Sequence, residues 1–291
     1  MTLINTTVLM SDANNFNNIQ QINPYYNQES VNYDEAIKEH NSIKELLSEA
    51  GIKIVTVPSP TDSQDGVYTA NWALVRGDKA VLARLPNARK SEEDYAEKVL
   101  KNLGKEVIRV PKNYKFSGQG DALACGNYLF CGNNYRSDIE AQEFVAKTLD
   151  YERIQLQTVP ECGINGDEVI NQASGWPDSF FYDLDLALSI IKAPTDNEKG
   201  LIAYCPEAFT LESRNLLSSF DGVDKIEVSI EEAQKHFATN LVSTGETVIM
   251  SAHAPLLSAE LRQRGLNVLS PEITELAKGG GYIRCVTLTL D

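Results

Sequence analysis

Apolar residues along the chain follow two spacings, one helical and one strand-like, that succeed each other in a fixed order. Between residues 33 and 50 the apolar positions 36, 37, 43, 46 and 47 have helical spacing. Gly51 follows, and helices commonly end at a glycine because it adopts a positive φ easily. Residues 52–58 then alternate apolar and polar side chains up to Pro58, which predicts a strand.

This order of helix and strand recurs along the chain. Helical spacing over residues 92–103, 137–149, 211–224 and 256–264 is followed by strand patterns over residues 106–111, 153–160, 225–229 and 267–271. Three of the predicted strands end at Pro58, Pro111 and Pro160, which gives periods of 53 and 49 residues. A fixed period of this length indicates radial or solenoidal repetition.

Hairpin patterns lie between these units. They cover residues 72–84, 122–131 and 241–251, with turns at Gly77, Gly126 and Gly245, and a looser pair joins residues 184–191 to 201–204. The first strand, residues 6–10, is expected to meet the last strand, residues 282–290. The sequence therefore predicts an α/β fold in which residues 1–291 form a single domain, a closed five-unit α/β propeller.

Composition and charge exclude several classes of partner. The formal net charge of −15 disfavours nucleic acid and anionic membranes and favours a cationic ligand. The N-terminus lacks the basic and apolar regions of a signal peptide, and no apolar run reaches the length of a membrane span, so a cytoplasmic location is expected. The five cysteines have no CxxC spacing, so we expect reduced thiols, no metal and no cofactor.

A glycine loop with one thiol near the C-terminal end is the main candidate for chemistry. Gly279, Gly280 and Gly281 precede Cys285, and the β-branched alternation over residues 282–290 predicts a buried strand. Glycines let a ligand approach the backbone, and exposed N–H groups favour the reactive thiolate. Cys285 is therefore a candidate nucleophile; the alternative is an inert buried cysteine after a glycine turn.

A five-unit propeller that ends in Gly-Gly-Gly-x-x-x-Cys resembles the pentein fold of the guanidino-group-modifying enzymes. These enzymes include arginine deiminase, dimethylarginine dimethylaminohydrolase, arginine dihydrolase and the amidinotransferases. The resemblance covers nearly the whole chain. The other motifs that stand in family order are Ile22-Asn-Pro-Tyr-Tyr26, Asp65-Gly-Val-Tyr-Thr-Ala-Asn71, Ala88-Arg-Lys-Ser-Glu92, Phe116-Ser-Gly-Gln-Gly-Asp121 and Phe181-Tyr-Asp-Leu-Asp185.

The resemblance implies a reaction and a substrate class. Cys285 corresponds to the nucleophile that attacks the guanidinium carbon and forms a covalent amidino-thioether. Asp65 and Asp185 correspond to carboxylates that bind the guanidinium. The implied partner is a small cationic guanidino compound, the implied reaction is hydrolysis of its C–N bond without a cofactor, and a homodimer is compatible with the family.

The resemblance also implies how the rest of the substrate is held. Arg89 and Arg136 correspond to arginines that grip the substrate carboxylate, for which the planar guanidinium fork is suited. Asn71, which resembles the arginine dihydrolase branch, and Asn23 complete the implied binding set. Without the resemblance, both arginines are typical of solvated surface charges.

Two catalytic positions depart from the family pattern. The family's Phe-His-Leu-Asp reads Tyr-Asp-Leu-Asp, so Asp183 stands where the histidine normally acts as acid and base. The glutamate before the family's Gly-Gly-Asp is absent, because neither Ser117 nor Gly118 is acidic. Asp183 and Asp185 are expected on one face of a strand, where each raises the pKa of the other. An Asp183 with a raised pKa can donate a proton to the leaving amine and later act as base for water.

These departures leave three functions open: a C–N hydrolase, an amidinotransferase, and a pentein that binds an arginine-like ligand without ordinary turnover. The chain has three histidines that could replace the missing base. His40 and His236 are expected on solvated helix faces. His253, which follows a strand of the fifth unit, is the one candidate substitute.

Overall fold

The computed structural model describes residues 2–26 and 31–291; Met1, the first residue of the predicted domain, lies outside them. In this part of the chain, six α-helices accompany fifteen strands, and the strands form five sheets of three. Each sheet combines one antiparallel and one parallel pair. The α/β class is confirmed, and the five sheets fit the five-unit, propeller-like arrangement that the repeat predicts.

The first sheet joins the two ends of the chain. Strand β1 (Thr7–Ser11) runs antiparallel to the last strand, β15 (Leu288–Thr289), and parallel to β2 (Lys53–Val57). Helix α1 (Tyr33–Glu49) makes the crossover between the parallel strands, as parallel pairing requires. The predicted meeting of the first and last strands is therefore confirmed.

The other four sheets repeat one order, in which an antiparallel hairpin is followed by a helix and a third, parallel strand. The second unit has β3 (Ala73–Arg76), β4 (Lys79–Leu82), α2 (Ser91–Asn102) and β5 (Glu106–Arg109). The third has β6 (Ala122–Cys125), β7 (Tyr128–Cys131), α3 (Ile139–Thr148) and β8 (Glu152–Gln155). The fourth has β9 (Leu188–Lys192), β10 (Gly200–Tyr204), α4 (Leu211–Ser219) and β11 (Val223–Glu227). Helix α5 (Ile230–His236) leads to the fifth, with β12 (Val242–Ser243), β13 (Thr247–Ile249), α6 (Pro255–Gln263) and β14 (Asn267–Leu269).

Glycine ends the helices as the sequence predicts. Gly51 and Gly104 follow α1 and α2 with φ of 84° and 81°, a left-handed conformation that residues with a Cβ adopt only with strain. Burial of one helical face explains why these segments fold: Ala36, Ile43 and Leu47 of α1 are completely buried. None of the helices in the described residues combines the length and apolar character needed to cross a membrane.

Strands of four of the five sheets, and Leu241 just before the fifth, line one cavity. Its volume is about 250 Å³. It is lined by Leu74 and Val75 of β3, Leu123 and Ala124 of β6, Leu188, Ser189 and Ile190 of β9, Leu241 before β12, and Thr289 of β15. Arg284 and Gln119 also reach this cavity, and Cys285 lines a second cavity.

Three local predictions are wrong. Residues 282–290 form a strand only at Leu288–Thr289, and residues 283–286 make a turn. Asp183 and Asp185 do not share a strand face, because Asp183 precedes a 3₁₀ turn, Leu184–Leu186, that contains Asp185. His40 is 4% exposed and faces the core, not solvent, because α1 packs that side against the fold.

Candidate active site

Cys285 is held in the interior by a tight turn. Its carbonyl accepts a 3.0 Å hydrogen bond from the Ala70 N–H. The Thr69 hydroxyl donates a 2.9 Å bond to the carbonyl of Val286. Both donors belong to the 3₁₀ turn Thr69–Trp72, so this turn fixes the backbone of the thiol, and Cys285 is only 3% exposed.

Two side chains contact the sulfur of Cys285. The thiol donates to Oδ2 of Asp185 over 3.4 Å, and Nδ2 of Asn240 donates to Sγ over 3.2 Å. Asp185 was expected here from the sequence, but Asn240 was not. The sequence gives no signal for Asn240, which lies two residues before the short strand β12 and outside every motif of the resemblance.

The glycine loop lies under two side chains that leave no room for a Cβ. A Cβ at Gly280, where φ is 81°, would lie 2.5 Å from Oδ1 of Asn23. A Cβ at Gly281 would lie 2.3 Å from the Tyr68 ring. Asn23 also donates to the carbonyl of Gly279 over 3.0 Å. The glycines thus allow close packing of the loop beside Cys285, and Asn23 anchors that loop.

Three buried carboxylates, Asp121, Asp183 and Asp185, interact with one another, and Asp185 contacts the thiol. Asp121 accepts from the Leu184 N–H over 3.1 Å, and Asp183 accepts from Nδ2 of Asn71 over 2.7 Å. One oxygen of each carboxylate accepts no hydrogen bond from any described residue: Oδ2 of Asp121, Oδ1 of Asp183 and Oδ1 of Asp185, here called the open oxygens. Buried polar atoms are rarely left without partners, so the open oxygens point to a cationic hydrogen-bond donor. Residues 2–26 and 31–291 contain no group of His, Cys, Asp or Glu arranged to hold a metal ion.

Burial and proximity set the protonation of this cluster. Burial raises the pKa of Asp183, and burial together with the Asp183 charge raises the pKa of Asp185 well above its usual range. Burial and the Asp185 charge raise the pKa of the Cys285 thiol well above its usual value. Without a bound cation, the thiol therefore keeps its proton near neutral pH.

Asp65 occupies another side of the cavity. It is 1% exposed, and the Tyr26 hydroxyl donates to its Oδ1. Burial raises the pKa of Asp65 to about 6, while the Arg89 charge and the Tyr26 hydrogen bond oppose the rise. Asp65 thus provides a further acidic group that can bind a cationic ligand.

Both candidate arginines are buried, so the expectation of solvated surface charges is wrong. Arg89 is 7% exposed, and its guanidinium donates to both carboxylate oxygens of Glu92, over 2.8 and 2.7 Å. It also donates to Oδ1 of Asn71 over 2.8 Å and to the carbonyls of Asp65 and Tyr68, each over 3.2 Å. The hydrogen bonds of the Arg89 guanidinium are thus made to groups of the protein, which favours a structural role for Arg89.

Arg136 is bound differently. It is 5% exposed, and its Nη2 donates to the carbonyl of Ile22. Its guanidinium carbon lies 5.1 Å from the centre of the Tyr182 ring and 5.8 Å from that of Trp176. Its buried Nε finds no acceptor among the described residues. Arg136 therefore has a donor available for an anionic ligand group.

One cavity brings the predicted residues together. Its volume is about 20 Å³, room for roughly one water molecule. It is lined by Asn23, Asp65, Asn71, Arg89, Arg136, Asp183 and Cys285, together with Ile22, Tyr68, Leu85, Pro86, Ser117, Tyr182, Gly279 and Gly281. Asp185 joins them through its contact with Cys285.

The structure places the three histidines elsewhere. His253 is exposed, and its Nε2 lies 3.1 Å from a carboxylate oxygen of Glu272. His236 ends α5, where its ring centre lies 6.0 Å from that of His253. His40 is buried in α1. None of the three lines the cavity, so the suggestion that His253 substitutes for the missing base is not supported by its position.

The five sheets and the buried cysteine and carboxylates define a member of the pentein superfamily. A family model described as N,N dimethylarginine dimethylhydrolase, eukaryotic, matches residues 6–171. The chain belongs to this family.

Curated relatives agree with this assignment. The chain is 32% identical over 273 residues to a bifunctional arginine dihydrolase/ornithine cyclodeaminase, AgrE, of Nostoc sp., covering 92% of this chain and 35% of that protein. A similar bifunctional protein, ArgZ of Synechocystis sp., is 27% identical and is covered over 37% of its length. An N(G),N(G)-dimethylarginine dimethylaminohydrolase of Mycobacterium tuberculosis is 30% identical over 227 residues, which cover 78% of this chain and 66% of that protein. The chain thus spans about a third of the two bifunctional relatives.

Solved structures show the same fold. The N-terminal domain of ArgZ, an arginine dihydrolase, in a cysteine-to-serine mutant bound to substrate, matches with a TM-score of 0.84 and 26% identity over 97% of each chain. A cysteine-to-alanine mutant of AgrE with L-arginine matches with a TM-score of 0.85 and 28% identity, over 98% of this chain and 40% of that one. An ArgZ N-terminal domain variant covalently bound to a reaction intermediate matches with a TM-score of 0.84 and 25% identity.

Proposed function

We propose that this protein hydrolyses a C–N bond in the guanidino group of arginine or an arginine-like compound, with Cys285 as the nucleophile. The observation that carries the proposal is the Cys285 thiol beside buried carboxylates with open oxygens. A guanidinium is a planar cation with several N–H donors, so it supplies both the charge and the hydrogen bonds that this cluster lacks. The relatives described above as arginine dihydrolases support the same class.

Substrate binding prepares the nucleophile. Asp65 and Asp185 hold the guanidinium, and its positive charge favours ionisation of the Cys285 thiol beside Asp185. The substrate thereby lowers the pKa of Cys285 that burial and Asp185 raise in the free protein. The thiol is therefore less reactive in the free protein than in the substrate complex.

The first half-reaction forms an amidino-thioether. The thiol proton passes to the Asp185 carboxylate, and Sγ of Cys285 adds to the guanidinium carbon. The electron pair of the C=N bond moves to nitrogen and leaves a neutral tetrahedral adduct. In this scheme Asp183 is protonated when the substrate binds, a form that burial favours by raising its pKa, and it gives its proton to the departing nitrogen. The C–N bond breaks, an amine or ammonia leaves, and a cationic amidino-thioether remains.

The second half-reaction releases the product. The Asp183 carboxylate takes a proton from water, and the resulting hydroxide adds to the amidino carbon. The C–S bond then breaks, and the sulfur recovers its proton from Asp185. The product carries a ureido group, and its excess proton goes to the released amine. Both aspartates and the thiol return to their starting states.

Arg136 binds the carboxylate of the substrate in this scheme. It is buried in the cavity wall, and its Nε is without an acceptor among the described residues. Arg89, Asn71 and Asn23 act through the protein: Arg89 holds Asn71, Asn71 holds Asp183, and Asn23 holds the glycine loop. They are positioning residues, although each lines the cavity.

The cavity must widen to admit a guanidino compound, because about 20 Å³ is far smaller than arginine. The hydrogen bond from Arg136 to the Ile22 carbonyl crosses from the cavity wall to the segment 22–26. An incoming carboxylate that binds Arg136 competes with this carbonyl. Ligand binding and loosening of the segment are therefore coupled.

We further propose that the five units form a closed ring and that the chain is a single pentein domain. Strands of four sheets line the cavity of about 250 Å³, and Leu241, which directly precedes strand β12 of the fifth sheet, lines it too. The Ile4 N–H donates over 3.1 Å to the Thr244 carbonyl of the fifth unit, and Asn5 donates over 2.8 Å to the Ser243 carbonyl. These bonds link the segment before β1 to the last hairpin, which supports closure. Limited proteolysis followed by thermal unfolding tests the single domain, which should unfold in one transition.

Product analysis tests the proposed activity. The protein is incubated separately with L-arginine, methylated arginines, agmatine and simple guanidines, and ammonia, amines and ureido products are measured. We expect a ureido product from at least one guanidine, and its loss in Cys285→Ser. Transfer of the amidine to an added amine would assign the amidinotransferase reaction instead. Equal product from the wild type and Cys285→Ser would exclude Cys285 as nucleophile.

A second candidate function is binding of an arginine-like ligand without turnover. The observation that favours it is the absence of histidine from the lining of the cavity within the described part of the chain. A ligand-induced rise in the unfolding temperature without product or adduct would support this function.

A further inference from the structure

We propose that Asn240 is a catalytic residue, whose side-chain amide positions the Cys285 turn and stabilises the thiolate that forms during the reaction. The inference rests on the proposed role of Cys285 as nucleophile. Asn240 contacts the reacting sulfur directly, over 3.2 Å, and it is completely buried.

The hydrogen bonds of the Asn240 side chain go to Arg284, Cys285 and Asp185. Its Oδ1 accepts from two successive backbone N–H groups, those of Arg284 over 3.0 Å and Cys285 over 3.2 Å. Its Nδ2 donates to Sγ of Cys285 and, over 3.4 Å, to the Asp185 carbonyl. One amide therefore connects the nucleophile to the backbone of its carboxylate partner.

The orientation of the amide follows from these partners. Two N–H donors face one end of the Asn240 side chain, so that end must be the oxygen. A flipped amide would place its NH₂ group against both donors and leave three groups without acceptors. The end that faces the sulfur is therefore an N–H donor, which favours an anionic sulfur over a neutral one.

The loop that carries Asn240 is built around an unusual backbone conformation. Phe237 has a φ of 52°, uncommon for a bulky residue. Its ring stacks on that of Tyr282, with centres 5.2 Å apart and an angle of 6° between the planes. The Asn240 N–H donates over 3.0 Å to the Phe237 carbonyl. The loop thus contacts the segment around Cys285 at two places: Phe237 packs on Tyr282, and Asn240 binds Cys285.

The chemistry requires such a donor. The thiol proton has a destination in Asp185, but the thiolate that remains lies beside carboxylates. Burial and Asp185 raise the pKa of Cys285, whereas hydrogen bonds from the Tyr282 backbone and the Asn240 side chain lower it. Asn240 offsets part of this rise in the pKa of Cys285, and it does so without a positive charge that would repel a cationic substrate.

Asn171 is a matched control for Asn240. It is also buried, and its Oδ1 accepts from two backbone N–H groups, those of Ala173 over 3.0 Å and Ser174 over 2.9 Å. Its Nδ2 donates to the Gln21 carbonyl and to Asp178. The two amides thus have the same pattern of partners, but Asn171 makes no hydrogen bond to the catalytic residues.

The test is the pH dependence of Cys285 alkylation by iodoacetamide, which requires no substrate. Peptide mass spectrometry separates Cys285 from exposed Cys162 and the three other buried cysteines. Asn240→Asp keeps an acceptor for the two N–H groups but places an anionic oxygen against the sulfur. We expect alkylation at least about tenfold slower near pH 8 than in the wild type, with a smaller loss in Asn240→Ala. Asn171→Asp and Asn171→Ala should keep the wild-type profile.

An unchanged alkylation profile in both Asn240 variants would overturn the proposal, as would an equal change in the Asn171 variants. Loss of the folded state in both Asn240 variants, with the Asn171 variants folded, would assign Asn240 to structure alone and also overturn it. If the wild type shows no turnover, the proposed hydrolase function fails while alkylation still reports on Asn240. If turnover is present, Asn240→Asp should lower kcat with little change in KM, because Asn240 does not line the cavity.

Discussion

The sulfur of Cys285 lies 3.4 Å from Oδ2 of Asp185, and the thiol donates its hydrogen bond to that oxygen. A carboxylate in this place makes the thiolate less favourable, because two negative charges would share a buried site. The nucleophile is therefore less reactive until a guanidinium enters between the acidic groups. Activation by the substrate's own charge restricts the reaction to cationic ligands and agrees with the strongly acidic composition of the chain.

This relationship predicts an opposite effect of Asp185→Asn on two measurements. The variant removes the charge that raises the pKa of Cys285, so alkylation of Cys285 near pH 7 should become faster. Turnover should be lost, because the thiol proton has no acceptor. Alkylation rates and product formation check both effects, with Asp178→Asn as a buried control elsewhere. Slower alkylation in Asp185→Asn would show that Asp185 activates the thiol even without substrate.

The two arginines should differ in what their removal does. Arg136→Ala should raise KM for guanidines that carry a carboxylate and leave simple guanidines unaffected. Arg89→Ala should instead destabilise the fold by about 3–5 kcal/mol, because it leaves Glu92 buried without its cation. Arg109→Ala, which removes partly exposed ion pairs with Asp94 and Glu97 in the same unit, should cost no more than about 1 kcal/mol per pair. Denaturant unfolding and substrate titrations measure these effects. If Arg89→Ala keeps the wild-type stability but cannot bind carboxylate-bearing substrates, then Arg89 and not Arg136 binds the substrate carboxylate.

Asp183 should be a working acid-base residue and not a relic of a lost histidine. Asn71 donates to it over 2.7 Å, and a Cβ at Gly120 would lie 2.7 Å from its Oδ2, so the site is shaped for a small acceptor. We expect Asp183→Asn to lower kcat by about a hundredfold or more. We expect the kcat of Asp183→His to stay below that of the wild type as well. Pre-steady-state and steady-state rates across pH provide the test. Higher activity in Asp183→His would show that the aspartate only weakens an ancestral acid-base function.

Much of this fold could be predicted from the chain alone, because each unit repeats local signals. Helical spacing, the glycine after α1 or α2 and the hairpin turns depend on neighbours within a few residues. The turn at Cys285 was not predictable, because the β-branched residues around it favour a strand. The turn depends on distant residues: the Ala70 N–H binds the Cys285 carbonyl, and the Thr69 hydroxyl binds the Val286 carbonyl. Arg89 and Arg136 look alike in sequence, and only Glu92 and the Ile22 carbonyl distinguish them. Asn240 had no signal, because its partners lie more than forty residues away.

Asp121 should make the free protein less stable as pH rises. Burial and the Asp183 charge raise its pKa to about 8, so the folded state binds this proton more tightly than the unfolded state. A group of this kind contributes its full stability below its unfolded pKa, near 4, and loses it as pH rises through about 8. Asp121→Asn keeps the acceptor for the Leu184 N–H and removes the titration. The variant's unfolding temperature should exceed that of the wild type near pH 8, by about 2–4 °C per kcal/mol, and the gap should narrow steadily toward pH 4. A gap that widens toward low pH would contradict the raised pKa.

The central claim is that Cys285 forms a covalent amidino-thioether with a guanidine substrate. The most direct measurement is the intact mass of protein quenched in acid within the first turnovers on L-arginine, methylated arginines or agmatine, followed by peptide mapping. We expect an added substrate-derived amidino group on the peptide that contains Cys285 and its absence in Cys285→Ser. Efficient formation of the ureido product with no adduct at Cys285, and the same product from Cys285→Ser, would contradict the account.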